Sequence, residues 1–228
     1  MTKPLPLIVT RAEPGAAATV QRAAAMGLDA RAMPLFAAQP LDWTVPDAGH
    51  FDALLLTSAR AVRLAGAGLA QLAELPVCCV GQATAEAARG AGLAVAMVGD
   101  QDAQRLLDAM ASRQIADILW LCGYDRSAFD APGTALTALP CYRVDPVGPP
   151  APWAATIAAP AVLLAHSVRG AARISELVGA MRDHLSLVAI SAAVAAAAGE
   201  GWAARVVSGR PDDAAMLAEA HALCHKGE

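Results

Sequence analysis

The side chains of this sequence that could do chemistry are few, and most stand where an apolar run gives way to a helical pattern. Ser58 and Ser167 each follow such a run and precede a helical segment. A serine in that place caps the helix by accepting from an amide of its first turn. A capped helix start also presents unpaired amides and the positive end of the helix dipole, so it can hold a carboxylate or a phosphate. Capping and anion binding therefore coexist at these positions. Arg11 follows the first apolar run, and the residue alone leaves open whether it orients a carboxylate or pairs with Glu13. Arg126 follows a later run and is a second cationic candidate. Arg60 and Arg169 lie one turn into their helices and read as solvated side chains.

His221, Cys224 and His225 form an H-x-x-C-H cluster on one helix face. Structural zinc takes four ligands, and no second cluster completes this set, so no metal is assigned to it. The five cysteines, Cys78, Cys79, Cys122, Cys141 and Cys224, are odd in number and form no C-x-x-C. Four of them lie in apolar runs, as expected for buried thiols of a reduced, cytoplasmic protein. Cys78 and Cys79, neighbours on one strand, point to opposite faces. Gly90-x-Gly92 follows a helix, and neither a Walker nor a dinucleotide fingerprint follows the first strand.

Apolar residues make up 56% of the 228 and charged residues 17%, so a sizeable core can be buried. The formal net charge of −4 argues against nucleic acid or an anionic membrane as partner. The first residues read as a strand, Leu7-Ile8-Val9-Thr10, and not as a targeting segment. The alanine-rich stretch 192–198 falls far short of the roughly 20 apolar residues that span a bilayer.

Short apolar runs alternate with helical patterns along the chain. Strands are expected at Leu7–Thr10, Ala53–Thr57, Val77–Val80, Ala94–Val98, Ile118–Leu121, Val162–Ala165, Leu187–Ile190 and Ala204–Val207. Pro14 suits the start of the first helix and Gly27 the residue after its end. This alternation predicts an α/β fold with parallel sheets built from βαβ units. The chain also repeats itself. Leu54-Leu55-Leu56-Thr57-Ser58-Ala59-Arg60 matches Leu163-Leu164-Ala165-His166-Ser167-Val168-Arg169, and Val80-Gly81-Gln82-Ala83 matches Ile190-Ser191-Ala192-Ala193. Acidic turns follow in both copies, at Asp100 and Asp102 and at Asp212 and Asp213. An offset that stays at about 110 residues across these pairs predicts two similar lobes.

Two proline-containing extended segments fall outside the repeat and predict a two-stranded connector at 35–40 and 140–147. The expected lobes are then 1–34 with 148–228, and 41–139, each a parallel sheet flanked by helices. A cleft between such lobes would be a natural ligand site.

These residues resemble the uroporphyrinogen-III synthase family over nearly the whole chain. The likeness is carried by Leu7-Ile8-Val9-Thr10-Arg11-Ala12-Glu13-Pro14-Gly15, Met33-Pro34-Leu35-Phe36, Phe51-Asp52-Ala53-Leu54-Leu55-Leu56-Thr57-Ser58-Ala59-Arg60-Ala61-Val62, Val80-Gly81-Gln82-Ala83-Thr84-Ala85, Gly123-Tyr124-Asp125-Arg126 and Cys141-Tyr142-Arg143-Val144. Order, spacing and the internal repeat make the match, and no single piece does. The resemblance implies two α/β lobes joined by a two-stranded ladder, with hydroxymethylbilane, a linear tetrapyrrole bearing carboxylate arms, as substrate. It further implies no metal or organic cofactor, a place in heme biosynthesis, and substrate handed over by hydroxymethylbilane synthase; a monomer is expected because no association stripe stands out in the sequence. Three features depart from the family pattern. The segment 123–139 is short and carries Pro132 and Gly133, which implies a truncated helix; Ser191 offers the sole hydroxyl in its turn; and His166 ends its strand.

The implied reaction is loss of hydroxide from the terminal hydroxymethyl group, attack by a substituted pyrrole carbon, and reclosure through a spiro intermediate with one ring inverted. Orienting two ends of a flexible chain contributes about 7–11 kcal/mol in favourable cases. Amides after Thr10, Ser58, Gly81, Ser167 and Ser191 would take the carboxylate arms, with Arg11, Gln82, Thr84 and Arg126 as further substrate contacts. Tyr142, which matches a tyrosine of the family's connector, would assist hydroxide departure, since a phenol donates to a leaving oxygen; packing on the ladder is its plain alternative. The rival function is a bilobed sensor or regulator that binds an anionic small molecule without turnover.

Overall fold

The computed structural model describes residues 4–99, 102–126 and 128–225, and Asp100 of the first acidic turn lies outside them. The chain forms two compact units, Met1–Ala37 with Pro146–Glu228, and Ala38–Asp145.

In the first unit the chain runs β1 (Leu7–Val9), α1 (Gly15–Ala25) and β2 (Ala30–Ala32), and leaves through β3 (Phe36–Pro40). In the second it continues as β4 (Ala53–Leu56), α2 (Ala59–Leu64), β5 (Val77–Val80), α3 (Gln82–Gly90), β6 (Val95–Gly99), α4 (Ala103–Ala111), β7 (Asp117–Gly123) and β8 (Ala135–Pro146). It returns to the first as α5 (Trp153–Ile157), β9 (Val162–Ala165), α6 (Val168–Val178), β10 (Ser186–Ala189), α7 (Ala192–Ala198), β11 (Ala204–Val207) and α8 (Asp213–Cys224).

The five-stranded sheet of the first unit has the order β11-β10-β9-β1-β2, with every pair parallel. Its central strands are continuous apolar runs because helices cover both faces. Ile8, Leu163 and Leu187 pack one face against Ala171, Ile174 and Val178 of α6 and Val194 and Ala198 of α7. Leu7, Val9, Val162 and Leu164 pack the other against Ala16 and Ala23 of α1 and Met216, Leu217 and Ala220 of α8. The edge strand β11 alternates partly buried and exposed residues, as a strand with one open side must.

The sheet that includes the second unit's strands has the order β3-β8-β7-β4-β5-β6. Leu54, Leu56, Cys79, Leu119 and Leu121 share one face with Ala61 and Val62 of α2 and Ala85 and Ala88 of α3. Ala53, Leu55, Cys78, Ile118 and Trp120 share the other with Leu106, Leu107 and Met110 of α4. Cys78 and Cys79 thus divide between the two faces, as the strand period requires. Full burial of one such leucine contributes about 1.5–3 kcal/mol.

The repeat appears as two β-α-β-α-β-α runs, β4 to α4 and β9 to α8, each laying three parallel strands side by side. The connector segments are β3 and β8. Leu35 accepts from the Val147 amide at 2.9 Å and Leu41 donates to Cys141 at 2.9 Å, so one strand rises as the other falls and the pair is antiparallel.

Three details differ from the sequence expectation. Instead of a truncated helix between β7 and β8, the described residues of 124–134 hold none. Pro132 and Gly133 break helical backbone there, and the chain turns directly into β8. Second, β8 starts at Ala135, and its first half pairs in parallel with β7, from Asp117 opposite Ala135 to Cys122 opposite Pro140. Third, the short strand β2 has no apolar run to announce it, because its three residues are at most half buried at the sheet edge. Among the described residues, no helix is long and apolar enough to cross a membrane.

Candidate functional site

In an open parallel sheet, ligands bind beyond the carboxyl ends of the strands, where the strand order reverses. In the first unit that point lies between β1 and β9, from which the chain builds outward in opposite directions. In the second it lies between β4 and β7. The residues just past these four strand ends are Thr10 and Arg11, His166 and Ser167, Thr57 and Ser58, and Tyr124.

In the second unit, Ser58 is the N-cap of α2, and its hydroxyl accepts from the Arg60 amide at 3.2 Å. Gly81 heads α3 with φ +78, a conformation that favours glycine, and its amide donates to Gly99 at 2.7 Å. Gln82 is exposed at the first position of that helix, whereas Thr84 is buried. Arg126 is exposed and folds back to donate to the Tyr124 carbonyl at 3.1 Å. The pairing of β7 with β8 shifts between Cys122 and Gly123, so that Tyr142 stands opposite Gly123 and Cys141 is the extra residue. Bulges re-aim side chains, and here the phenol lies directly over Gly123. A Cβ at that glycine would stand 3.0 Å from Cζ and 3.1 Å from the hydroxyl.

In the first unit, Ser167 caps α6 by accepting from Gly170 at 3.0 Å, and Ser191 caps α7 by accepting from Val194 at 3.4 Å. The Thr10 hydroxyl is committed to the sheet, donating to the Leu164 carbonyl at 3.1 Å. Of the capped starts, α2 and α7 have six and seven residues, while α3 and α6 have nine and eleven. The longer pair carry the more developed helix dipole.

Arg11 does not pair with Glu13, whose carboxylate accepts from the Ala17 amide at 2.9 Å. Its guanidinium lies over Gly15 at the start of α1 and reaches Asp213 at 3.4 Å. Asp213, in the first turn of α8, is the hub of a polar cluster. One oxygen accepts from Thr19 at 2.9 Å and lies 2.9 Å from Nε2 of His166; the other accepts from Nε and Nη2 of Arg22 at 2.8 and 2.6 Å. Burial pushes the Asp213 carboxyl up, but the bonds from His166, Arg22 and Thr19 outweigh it and hold the group well below the usual carboxylate range. The His166 side chain is 9% exposed, and its Nδ1 is buried with no hydrogen-bond partner. Leaving a buried polar atom unmet costs about 1–3 kcal/mol.

Sequence reasoning singled out Arg11 and noted His166 as unusual, but did not reach Thr19, Arg22 or Asp213 as site residues. The acidic turn at Asp212 and Asp213 was visible as a repeated feature; its convergence on β1 and β9 was not. Elsewhere, Cys224 is buried in the core, and His225 stacks on His221 with centroids 4.3 Å apart while its Nδ1 contacts the His221 carbonyl. Among the described residues, no three histidine, cysteine or acidic groups converge in a way that could hold a metal ion. Burial pushes the thiols of Cys78, Cys79 and Cys224 up to about 11 and that of Cys141 up to about 12, which makes them poor nucleophiles.

A crystal structure of uroporphyrinogen-III synthetase from Helicobacter pylori is similar, with a TM-score of 0.65 at 13% identity, covering 96% of this chain and 99% of that one. At that identity the likeness shows the fold. A mutant uroporphyrinogen III synthase from Thermus thermophilus aligns over 98% of this chain and all of its own at 17% identity, with a TM-score of 0.49. No curated protein matches the sequence. The family model described as uroporphyrinogen-III synthase HemD matches residues 17–218, which spans both units, and the chain therefore belongs to the uroporphyrinogen-III synthase family.

Proposed function

We propose that this chain is a lyase that closes hydroxymethylbilane into uroporphyrinogen III, with loss of water and inversion of the terminal pyrrole through a spiro intermediate. The observation that carries this is the family match over residues 17–218. Membership makes the chain an enzyme of tetrapyrrole synthesis, and the residues at the strand ends suit what the chemistry asks.

The reaction needs conformation more than reactive groups. Breaking the carbon–oxygen bond of the hydroxymethyl group leaves a delocalised cation, which the free terminal carbon would close on unaided to the symmetric isomer. The protein must hold the chain so that the substituted carbon attacks first. Each carboxylate arm is a handle for that task. The amides that head α3 and α6, with Arg11, Gln82 and Arg126 as cationic or polar supplements, offer anion sites on both units. Ser58, Ser167 and Ser191 serve through their capped helix starts more than through free hydroxyls, Thr10 through its backbone, and Thr84 from a buried position. Tyr142 donates its phenolic proton to the departing oxygen, so that water leaves and not hydroxide. The chain is read as a cytoplasmic monomer that receives the unstable bilane from hydroxymethylbilane synthase.

The test generates hydroxymethylbilane in place from porphobilinogen and its deaminase, oxidises the products and separates the isomers. Isomer III rising with added protein is the expected result. Isomer I alone, from folded protein, refutes the enzyme and leaves a tetrapyrrole-binding module. Tyr142→Phe should lower turnover with little change in KM; unchanged turnover removes the phenol from its role.

A further inference from the structure

Trp120 makes a hydrogen bond that reaches the strand ends of the second unit. It sits in β7 opposite Leu55 of β4, on the face covered by α4, and is 4% exposed. A buried indole N–H calls for an acceptor. Thr57, two residues beyond Leu55 and so on the same face, supplies it: Nε1 donates to the Thr57 hydroxyl oxygen at 3.1 Å. The indole nitrogen only donates, so the hydroxyl keeps its own proton. Among the described residues, none accepts that proton. The threonine past β1 of the first unit is the contrast. Thr10 is buried and donates its proton to the Leu164 carbonyl of the neighbouring strand at 3.1 Å. Thr57 is only partly buried, and it stands between β4 and β7, where the strand order of its sheet reverses.

We propose that Trp120 is a positioning residue for the substrate: its N–H makes the Thr57 hydroxyl an oriented donor that binds a carboxylate arm of the tetrapyrrole. This rests on the reading of the chain as a tetrapyrrole-cyclising enzyme and names how one contact of that site is set. A threonine hydroxyl otherwise rotates and accepts as readily as it donates. With one lone pair held by the indole, the hydroxyl proton points away from Trp120. Donation to an ionised carboxylate then makes a short, charge-assisted bond. The indole also polarises the hydroxyl and strengthens it as a donor. Trp120 is held in turn, so the direction it imposes is fixed. Its ring packs on Phe129 with centroids 4.8 Å apart, and the next residue is clipped to α4. The Asp130 amide donates to the Gln104 side chain at 3.1 Å, and the Asp130 carbonyl accepts from the same side chain. The charges just past β4 and β7 suit an anion, with Arg60 and Arg126 against Asp125.

The experiment measures KM and kcat for preformed hydroxymethylbilane, together with the urea unfolding midpoint, in Thr57→Val, Thr57→Ser, Trp120→Phe and the double change Trp120→Phe with Thr57→Val. Thr57→Val should raise KM about tenfold or more while kcat holds, because a bond to a charged group is lost. Thr57→Ser keeps the hydroxyl and should stay within about twofold of the wild type. Trp120→Phe keeps the hydroxyl but frees its direction, and KM should rise about threefold. The double change should show the KM of Thr57→Val alone, because a hydroxyl that is absent cannot be oriented. Its midpoint should match that of Trp120→Phe, since no indole N–H is left to orphan. If Thr57 merely satisfies the indole, Thr57→Val lowers the midpoint and leaves KM unchanged, which overturns the proposal. An unchanged KM in Trp120→Phe also overturns it, as do fully additive KM losses, which would show the two residues acting separately. Isomer III formed by the wild type keeps these outcomes apart from failure of the enzyme reading. Its absence overturns both.

Discussion

Replacing Asp213 with asparagine should destabilise the first unit by about 2 kcal/mol at neutral pH. The figure follows from what the carboxylate holds. Arg11 and Arg22 are 34% and 50% exposed, so their ion pairs contribute only about 0.2–1 kcal/mol each. The bonds to Thr19, which is fully buried, and to His166 contribute about 1 kcal/mol or more each. An asparagine keeps one oxygen, so roughly half of this is lost, and the NH2 it introduces opposes whichever donor it faces. Shared partners make the terms non-additive, which leaves about 2 kcal/mol as the expectation. Urea unfolding followed by tryptophan emission, with Trp153 and Trp202 in this unit, should show the midpoint falling by about 1 M. The pH dependence sharpens the test. The folded carboxyl titrates below the unfolded one, so its contribution is complete above the ordinary aspartate range and is lost as pH falls through the folded value. The gap between wild type and variant should therefore be full at pH 7 and narrower at pH 3.5. Equal midpoints at pH 7, or a gap that stays constant to pH 3.5, would refute the assignment of Asp213 as the hub of the cluster.

Two further substitutions probe the second unit. A Cβ at Gly68 would stand 2.8 Å from both the Trp43 ring and Val45. Gly68→Ala should thus cost about 1–3 kcal/mol by overpacking, read as a lower unfolding midpoint with altered Trp43 emission as its Nε1 bond to Ala65 shifts. Gly123→Ala should push the phenol of Tyr142 aside and cut kcat by tenfold or more, since a displacement of about 1 Å can cost up to a hundredfold. Adding the Tyr142→Phe change to Gly123→Ala should bring no further loss; a fully additive second loss would show that the glycine acts elsewhere.

The sequence by itself determined the kinds of element and their local chemistry. The apolar runs around Leu54 and Leu163 could only be strands buried on both faces, and the serines after them became N-caps because a short hydroxyl satisfies amides that the helix itself leaves open. The repeat exposed two similar three-strand runs, since each must cover its sheet in the same way. Strand order was another matter. A run buried on both faces packs equally well beside any parallel neighbour, so nothing in Leu7-Ile8-Val9 says that β9, some 150 residues later, lies beside it. Without that pairing the reversal points could not be placed, and candidates such as Thr10 and Ser167 remained scattered strand ends. The truncated helix expected before β8 is absent from the described residues of 124–134, where exposed Pro132 and Gly133 break helical backbone. The Asp213 cluster depended most on tertiary structure. Its members are separated by as many as 202 residues, and a charged side chain carries no sequence signal for which distant partner will neutralise it. Packing α8 against β9 and β10, with the first turn of the helix past the strand ends, decided that, and it is what left one nitrogen of His166 unmet.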